Sequence, residues 1–191
     1  KTITGKIDGN DDNTGTLTFV GDSTVDGEIG SKHLVQTINA AAAESTSTFN
    51  DTVVASNITL GSGVAEFNDD VTGVISTNSG VIKLASGKKI DGTIDGALDN
   101  VGSLVLLGDA TLLQDVGNIH ALSSITTAIG STATFEGLVT TTTLDFNGDA
   151  NFVGGAEIND AVIFNDEQVL TFGATSTLAG GINFDGNDGI I

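Results

Sequence analysis

The chain has 191 residues, 39% of them hydrophobic, and carries 25 acidic residues against six lysines, which gives a formal net charge of −19. It contains no Arg, Cys, Met, Pro, Trp or Tyr, but 26 Gly and 26 Thr. The hydrophobic fraction suffices for a buried core, so low-hydrophobicity disorder is excluded. The acidic surplus argues against binding to nucleic acid or to an anionic membrane surface. Without Cys there are no disulfides and no thiolate metal sites.

Short predicted strands and turns alternate from the start of the chain. Residues 15–20 (GTLTFV) and 56–60 (SNITL) alternate apolar residues with Thr, Ser or Asn, which is typical of a strand with one buried face. Between them, Ile38–Glu44 (INAAAAE) is the one helix-like segment, and it is too short to form a stable helix, so we expect a loop or a single turn there.

A large apolar residue followed by a turn rich in Gly, Asn or Asp recurs along the whole chain, with a mean spacing of 17 residues. These positions are Phe19, Leu34, Phe49, Phe67, Leu84, Leu106, Leu122, Phe135, Phe152 and Phe172. The short period predicts a parallel β-solenoid of about eleven short coils, in which Phe and Asn residues stack as ladders from coil to coil. Tandem β-sandwich domains are the alternative, but a sandwich has no need to repeat one such unit.

A longer repeat is also present. Residues 1–38 align with residues 88–125 at a constant offset of 87, so that GKIDGNDDNTGTLTFVGDST (5–24) falls on GTIDGALDNVGSLVLLGDAT (92–111). With small slips the alignment continues through Phe49/Phe135, Phe67/Phe152 and Leu84/Phe172. The offset is close to five short units. We therefore predict one continuous solenoid over residues 1–191, built of copies 1–87 and 88–175, with a third copy starting at 176–191.

Four segments resemble the passenger regions of rickettsial surface autotransporters, the outer-membrane protein A and B or surface cell antigen family. They are TLTFVGDSTVDGEIGS (16–31), HLVQTINAAA (33–42), STFNDTVVASNITLGSG (47–63) and VAEFNDDVTGVI (64–75). The resemblance implies a right-handed β-helix, exported and displayed outside a Gram-negative cell, that serves as an adhesin, invasin or surface-layer coat. We expect the export signal and the outer-membrane anchor of such a protein to lie outside this chain. The resemblance implies no catalytic residue in this sequence.

Two groups of polar residues are candidate sites. His33 and His120 hold equivalent repeat positions, and because 87 residues separate them we expect corner residues rather than two ligands of one metal ion. Asp8, Asn10 and Asp12 occupy the first ligand positions of an EF-hand-like loop and are candidate Ca²⁺ ligands.

The EF-hand pattern is incomplete, since Asn13 stands where Gly is needed and Phe19 where Glu is needed. Other acidic turns are Asp69–Asp70, Asp91–Asp95 and Asp185–Asp188. No cofactor besides Ca²⁺ is suggested.

The sequence thus predicts a non-enzymatic, extracellular structural or adhesive segment that acts by rigid, repetitive display. Its expected partners are further repeats or copies of itself, end to end, and a host-cell receptor, with no nucleic acid and no membrane insertion. The alternative is a subunit of a self-assembling extracellular filament or surface layer. A minor alternative is a β-helical carbohydrate-active enzyme, which the lack of Trp and Tyr for sugar stacking and of Arg for uronate pairing disfavours.

Overall fold

A computed structural model describes residues 1–165 and 168–183, and within them the regular structure consists of β-strands without any helix. The strands are β1 (Thr2–Ile3), β2 (Thr14–Thr18), β3 (Ser23–Val25), β4 (Val35–Ala40), β5 (Thr46–Phe49), β6 (Val53–Leu60), β7 (Val64–Phe67), β8 (Val71–Thr77), β9 (Val81–Leu84), β10 (Lys88–Asp91), β11 (Ile94–Gly96), β12 (Ser103–Leu106), β13 (Ala110–Leu112), β14 (Leu122–Thr127), β15 (Thr132–Phe135), β16 (Val139–Phe146), β17 (Asp149–Phe152), β18 (Ala156–Phe164), β19 (Leu170–Phe172), β20 (Thr177–Leu178) and β21 (Ile182–Asn183).

The strands pair in parallel with those one coil before and after them, except that, within the described ranges, strands at the ends of a stack pair on one side only. One stack runs β1-β3-β5-β7-β9-β12-β14-β16-β18-β20, and the other runs β2-β4-β6-β8-β10-β13-β15-β17-β19. Strand β11 joins β8, and β21 joins β18. The predicted parallel β-solenoid is therefore confirmed. The alternative of tandem β-sandwiches is wrong, because such sandwiches are built of antiparallel sheets.

The solenoid makes about nine coils, close to the predicted eleven. The distance in sequence between paired residues ranges from 17 (Val64 and Val81) to 24 (Ser23 and Ser47). The prediction counted Leu34 as a coil of its own. The rings of Phe19 and Phe49, on either side of it in sequence, nevertheless lie only 5.6 Å apart, on neighbouring coils. Leu34 lies in a long turn within one coil, and for this reason the number of coils is smaller than predicted.

Most of the core belongs to four inward-facing ladders, and the chain passes through ladders 1 to 4 in the same order in each coil. Ladder 1 is Ile7, Ile29, Val53, Val71, Ile90, Leu112, Phe135, Phe152 and Phe172. Ladder 2 is Leu17, Ile38, Ile58, Ile75, Ile94, Val116, Val139 and Ala156. Ladder 3 is Ser23, Ser47, Ala65, Ile82, Leu104, Ile125, Leu144, Val162 and Ile182. Ladder 4 is Ile3, Val25, Phe49, Phe67, Leu84, Leu106 and Thr127.

The predicted Phe and Asn ladders are both present. The rings of Phe49 and Phe67 stack at 5.1 Å within ladder 4. At the next position in the chain, Asn68 Nδ2 donates to Asn50 Oδ1 at 2.7 Å, and Asn50 Nδ2 donates to Asp26 Oδ1 at 2.6 Å. Each polar side chain at this corner is satisfied by its equivalent on the neighbouring coil.

The helix-like segment forms no helix. Its first three residues, Ile38 to Ala40, end β4, and residues 41–45 form the loop that leads to β5. Ala41 and Glu44 adopt positive φ angles of 50° and 58°, which reverse the chain direction within the loop. The predicted loop is confirmed, although it begins three residues later than expected.

The two copies of the 87-residue repeat occupy different faces of the solenoid. Ile7 and Ile90 both lie on ladder 1 and are separated by four coils. Ile94, the repeat equivalent of Ile7, lies on ladder 2. Seven pairs of repeat-equivalent residues differ by the same step of one ladder. In the pairs Ile7/Ile94 and Ile29/Val116, the first residue lies on ladder 1 and its equivalent on ladder 2. In Leu17/Leu104 and Ile38/Ile125 the two residues lie on ladders 2 and 3. In Phe49/Phe135, Phe67/Phe152 and Leu84/Phe172 they lie on ladders 4 and 1. The 87-residue repeat therefore spans four complete coils plus the step from one ladder to the next, rather than close to five coils.

Candidate functional site

The predicted Ca²⁺ candidates and His33 lie together at one corner of the solenoid, where the turn of residues 8–14 meets the next coil. Asp8 Oδ1 accepts the backbone N–H of Lys32 at 2.9 Å, and Asp12 Oδ1 accepts that of Leu34 at 3.3 Å. The His33 Nδ1 atom lies 3.4 Å from Asp12 Oδ1. We call residues 7–15 and 29–35 corner module 1.

The second copy of the repeat builds the same corner one face further round, from residues 94–102 and 116–122, which we call corner module 2. Asp95 Oδ1 accepts the backbone N–H of Ile119 at 2.9 Å, and His120 Nδ1 lies 3.1 Å from Asp99 Oδ1. Gly117 donates its N–H to the Ile94 carbonyl at 2.6 Å, as Gly30 does to Ile7 at 2.7 Å. Each histidine thus faces the aspartate of its own module.

A third coil completes each corner. Asn13 and Asn100 adopt positive φ angles of 59° and 61°, which turn their side chains toward the coil beyond the next. Asn13 Oδ1 accepts a hydrogen bond from Ser56 Oγ at 2.6 Å, and Asn100 Oδ1 accepts one from Thr142 Oγ1 at 2.6 Å. Each module is therefore a built feature that spans three coils.

A metal site is not evident at either corner. Among residues 1–165 and 168–183, no group of three or more His, Cys, Asp or Glu side chains is arranged to hold a metal ion. Asn10 Nδ2 donates to Asp11 Oδ2 at 3.0 Å, and Ala97 takes the place of Asn10 in corner module 2. Binding of Ca²⁺ by Asp8, Asn10 and Asp12 stays a prediction.

The other acidic turns also contact neighbouring coils. Asp69 Oδ1 accepts from Lys88 Nζ at 2.7 Å, and Asp70 Oδ1 accepts the backbone N–H of Lys89 at 3.0 Å. Asp91 Oδ1 lies 3.5 Å from Gln114 Nε2. The turn Asp185–Asp188 and the residues 184–191 of the predicted third copy lie outside the described residues.

A recurrent role of aspartate was not predicted from the sequence, in which the acidic turns were considered only in connection with Ca²⁺ binding. Among residues 1–165 and 168–183, eight carboxylates accept a backbone N–H from the next coil, roughly one coil length later in the chain. The pairs are Asp8/Lys32, Asp12/Leu34, Asp22/Thr46, Asp70/Lys89, Asp95/Ile119, Asp109/Thr132, Asp115/Leu138 and Asp149/Val169. A Gly-Asp pair at the start of a short strand is the sequence signal, directly before the strand at residues 21–22 and 108–109 and overlapping its first residue at 148–149.

Lysine–carboxylate pairs join coils in the first half of the chain. Lys6 pairs with Glu28, and Lys88 pairs with Asp69. The hydrogen bond from Lys6 lowers the pKa of Glu28, and the one from Lys88 lowers the pKa of Asp69. The backbone N–H of Lys32 lowers the pKa of Asp8. All three carboxylates are therefore favoured in the ionised form by the folded state.

We expect the melting temperature to fall as the pH drops below about 4. A carboxylate whose pKa is lowered on folding stabilises the folded state above its unfolded pKa, and this contribution is lost as the pH falls through the folded pKa. Thermal unfolding followed by circular dichroism between neutral and acidic pH measures the effect. Asp69→Asn should flatten the acid limb, whereas Glu157→Gln, which removes one exposed charge on β18, should leave it unchanged. Equal acid limbs for the two variants would contradict the assignment.

The fold and its repeated corners define the chain as an all-β solenoid with structured surface loops. Comparison with known proteins gives a similarity to Outer membrane protein A of Rickettsia rickettsii, with 30% identity over 183 residues. The similarity covers 95% of this chain, but the chain spans only about 7% of the length of that protein. No family model and no solved structure matches the chain. The similarity supports a relation to a surface protein.

Over the described part of the chain, there is no helix of the length and apolar character needed to cross a bilayer.

Proposed function

We propose that this chain is a rigid, non-enzymatic structural and adhesive segment of an extracellular surface protein. The observation that carries the proposal is the run of continuous apolar ladders through about nine parallel coils. With a strand spacing of about 4.8 Å, such a stack is a rod of roughly 40 Å. A rod holds surface loops at fixed distances and angles, which is what repetitive display requires.

The mechanism rests on the separation of the core from the corners. The four ladders contain most of the large buried apolar side chains, so the hydrophobic stabilisation of the rod comes mainly from inward-facing residues and not from the exposed side chains at its corners. The corner loops are held by backbone hydrogen bonds between coils. Corner side chains that make no hydrogen bond between coils can therefore differ between repeats, and they supply the contact surface for a partner.

The similarity to Outer membrane protein A supports a location at the cell surface, and the resemblance to autotransporter passengers supports display outside a Gram-negative cell. An antibody against the chain tests this location on intact cells of the source organism. We expect labelling of intact cells, and loss of the antigen when the cells are treated with a protease that does not enter them. An antigen that resists the protease until the cells are lysed would refute surface display.

A second candidate function, assembly into a filament or surface layer, is favoured by an open strand edge. Strands β1 and β2 each pair on one side only among the described strands. A cleft of about 550 Å³ at this edge is lined by Ile3, Leu17 and Phe19. An edge of this kind accepts another coil, from a longer chain or from a second molecule. Electron microscopy of the purified chain is expected to show end-to-end filaments, and uniformly short rods under all conditions would rule this function out.

The proposal includes no catalytic step and no required cofactor, and both points are open to direct measurement. A turnover screen with polysaccharides tests for a carbohydrate-active enzyme, and product formation would overturn the non-enzymatic role. Calorimetric titration with Ca²⁺ tests the Asp8, Asn10 and Asp12 loop. Heat of binding that disappears in Asp12→Asn would establish the Ca²⁺ site.

A further inference from the structure

The two corner modules have equivalent backbone hydrogen bonds but differ in the side chains at their tips. In corner module 1 the four tip positions are polar, whereas in corner module 2 all four are apolar. The equivalent pairs are Asn10/Ala97, Asp11/Leu98, Thr14/Val101 and Lys32/Ile119. Leu98 and Ile119 have exposed fractions of 65% and 74%. We call Ala97, Leu98, Val101 and Ile119 the apolar tip.

The fold does not require apolar residues at these positions. Gly96 donates its N–H to the His120 carbonyl at 3.1 Å, which ties the two loops of corner module 2 together. Gly9 and His33 make the same bond at 3.2 Å in corner module 1, where the tip is polar. Since the same corner forms with either kind of tip, the change to apolar side chains serves something other than folding. Three of these residues, Ala97, Leu98 and Ile119, are exposed and Val101 is half-buried. Exposed apolar groups on the loops of one corner are typical of interaction surfaces.

The charges around the apolar tip restrict what can cover it. Residues 1–89 contain all six lysines and 11 acidic residues, whereas residues 90–191 contain 14 acidic residues and no lysine. Asp95, Asp99 and Asp115 lie within or beside corner module 2, with His120 as its one basic group. A second copy would bring two such acidic regions together, and an anionic membrane surface would be repelled.

We propose that the apolar tip is a docking surface for a protein partner that offers an apolar pocket bordered by Lys or Arg residues. Leu98 and Ile119 fill the pocket, and the surrounding carboxylates face the basic rim. The proposal deepens the adhesive role proposed above, because it assigns the contact to one corner of the rod. Corner module 1, with its polar tip, is predicted not to take part.

The test compares the chain with a tip-exchange variant, in which Ala97→Asn, Leu98→Asp, Val101→Thr and Ile119→Lys copy the tip of corner module 1. The probes are immobilised synthetic peptides of three compositions: Lys with Leu and Phe, Glu with Leu and Phe, and Lys with Ser. We expect the native chain to bind the first set at least about tenfold more tightly than the variant does, with a loss of affinity at high salt. For the other two peptide sets, the native chain and the variant should have similar affinities.

Three results would overturn the proposal. The first is equal binding of the Lys–Leu–Phe peptides by the native chain and the variant. The second is equally strong binding of the Glu set by the native chain, which would indicate an unselective apolar patch. The third is a native chain that dimerises in sedimentation while the variant stays monomeric, which would make a second copy the occupant.

The reverse exchange supplies a matched control within the same chain. Asn10→Ala, Asp11→Leu, Thr14→Val and Lys32→Ile should give corner module 1 an apolar tip, and the chain should then bind a second equivalent of the Lys–Leu–Phe peptides. Unchanged circular dichroism spectra and melting temperatures verify that both exchange variants fold. Failure of the peptide test leaves the protease test of surface display unaffected, so the two proposals fail separately.

Discussion

Replacing Phe152 with Ala is expected to lower the free energy of unfolding by about 3–5 kcal/mol, the usual cost of removing a buried aromatic ring. The Phe152 side chain has no exposed surface and is enclosed on three sides. Its ring stacks on Phe135 at 5.0 Å and on Phe172 at 5.4 Å, and it meets Phe146 edge-on at 6.2 Å. Truncation leaves a cavity between coils whose backbone spacing is fixed by strand pairing, so the site cannot collapse to fill it.

Urea unfolding followed by circular dichroism measures this loss. Phe172→Ala is the matched control, because Phe172 belongs to the same ladder but is only partly buried. We expect it to cost less than half as much as Phe152→Ala. If the two variants were equally destabilised, the stacked ring in the interior would not be the source of the effect.

Gly117→Ala is expected to destabilise the chain by at least about 3 kcal/mol, because two costs add. Gly117 has a φ of 72°, a conformation that disfavours any residue with a Cβ atom. A Cβ at this position would also lie 2.0 Å from the carbonyl oxygen of Thr140, which belongs to strand β16 of the next coil and is held there by pairing with β18. The clash therefore separates the coils at corner module 2.

Gly130→Ala separates the two costs. Gly130 has a similar φ of 68°, but a Cβ there meets nothing within 4 Å. We expect this variant to lose only about 1 kcal/mol, the cost of the backbone conformation alone. Chemical unfolding of both variants under the same conditions provides the comparison. A Gly117→Ala variant no less stable than Gly130→Ala would show that the corner tolerates a side chain.

The corner modules could be predicted only in part from the sequence. The equivalence of His33 and His120 follows from their constant offset in two aligned copies. Their contacts with Asp12 and Asp99 were not predicted, although both aspartates belong to the same aligned segment. The two members of each pair lie 21 residues apart, and their contact depends on the length of the coil between them.

The charge was also only partly understood from composition. The prediction that acidic residues fall in turns was sound for Asp22 and Asp109, which directly precede β3 and β13. Their acceptance of backbone N–H groups from Thr46 and Thr132 depends on which residue stands above them in the next coil. Part of the net charge of −19 is therefore structural, because these carboxylates satisfy donors that lie where a strand begins.

The sequence by itself determined the class of fold, since a short apolar–turn unit repeated along the chain buries its apolar face only by stacking on its neighbours. It also determined the 87-residue repeat, which is a property of the letters alone. The tertiary structure decided how many coils the repeat fills and which face each copy occupies. Both depend on the summed lengths of all the turns, and a few residues more or less in several turns rotate every later ladder without changing any local pattern. For this reason the stacked rings of Phe49 and Phe67 lie on ladder 4, whereas their equivalents Phe135 and Phe152 lie on ladder 1.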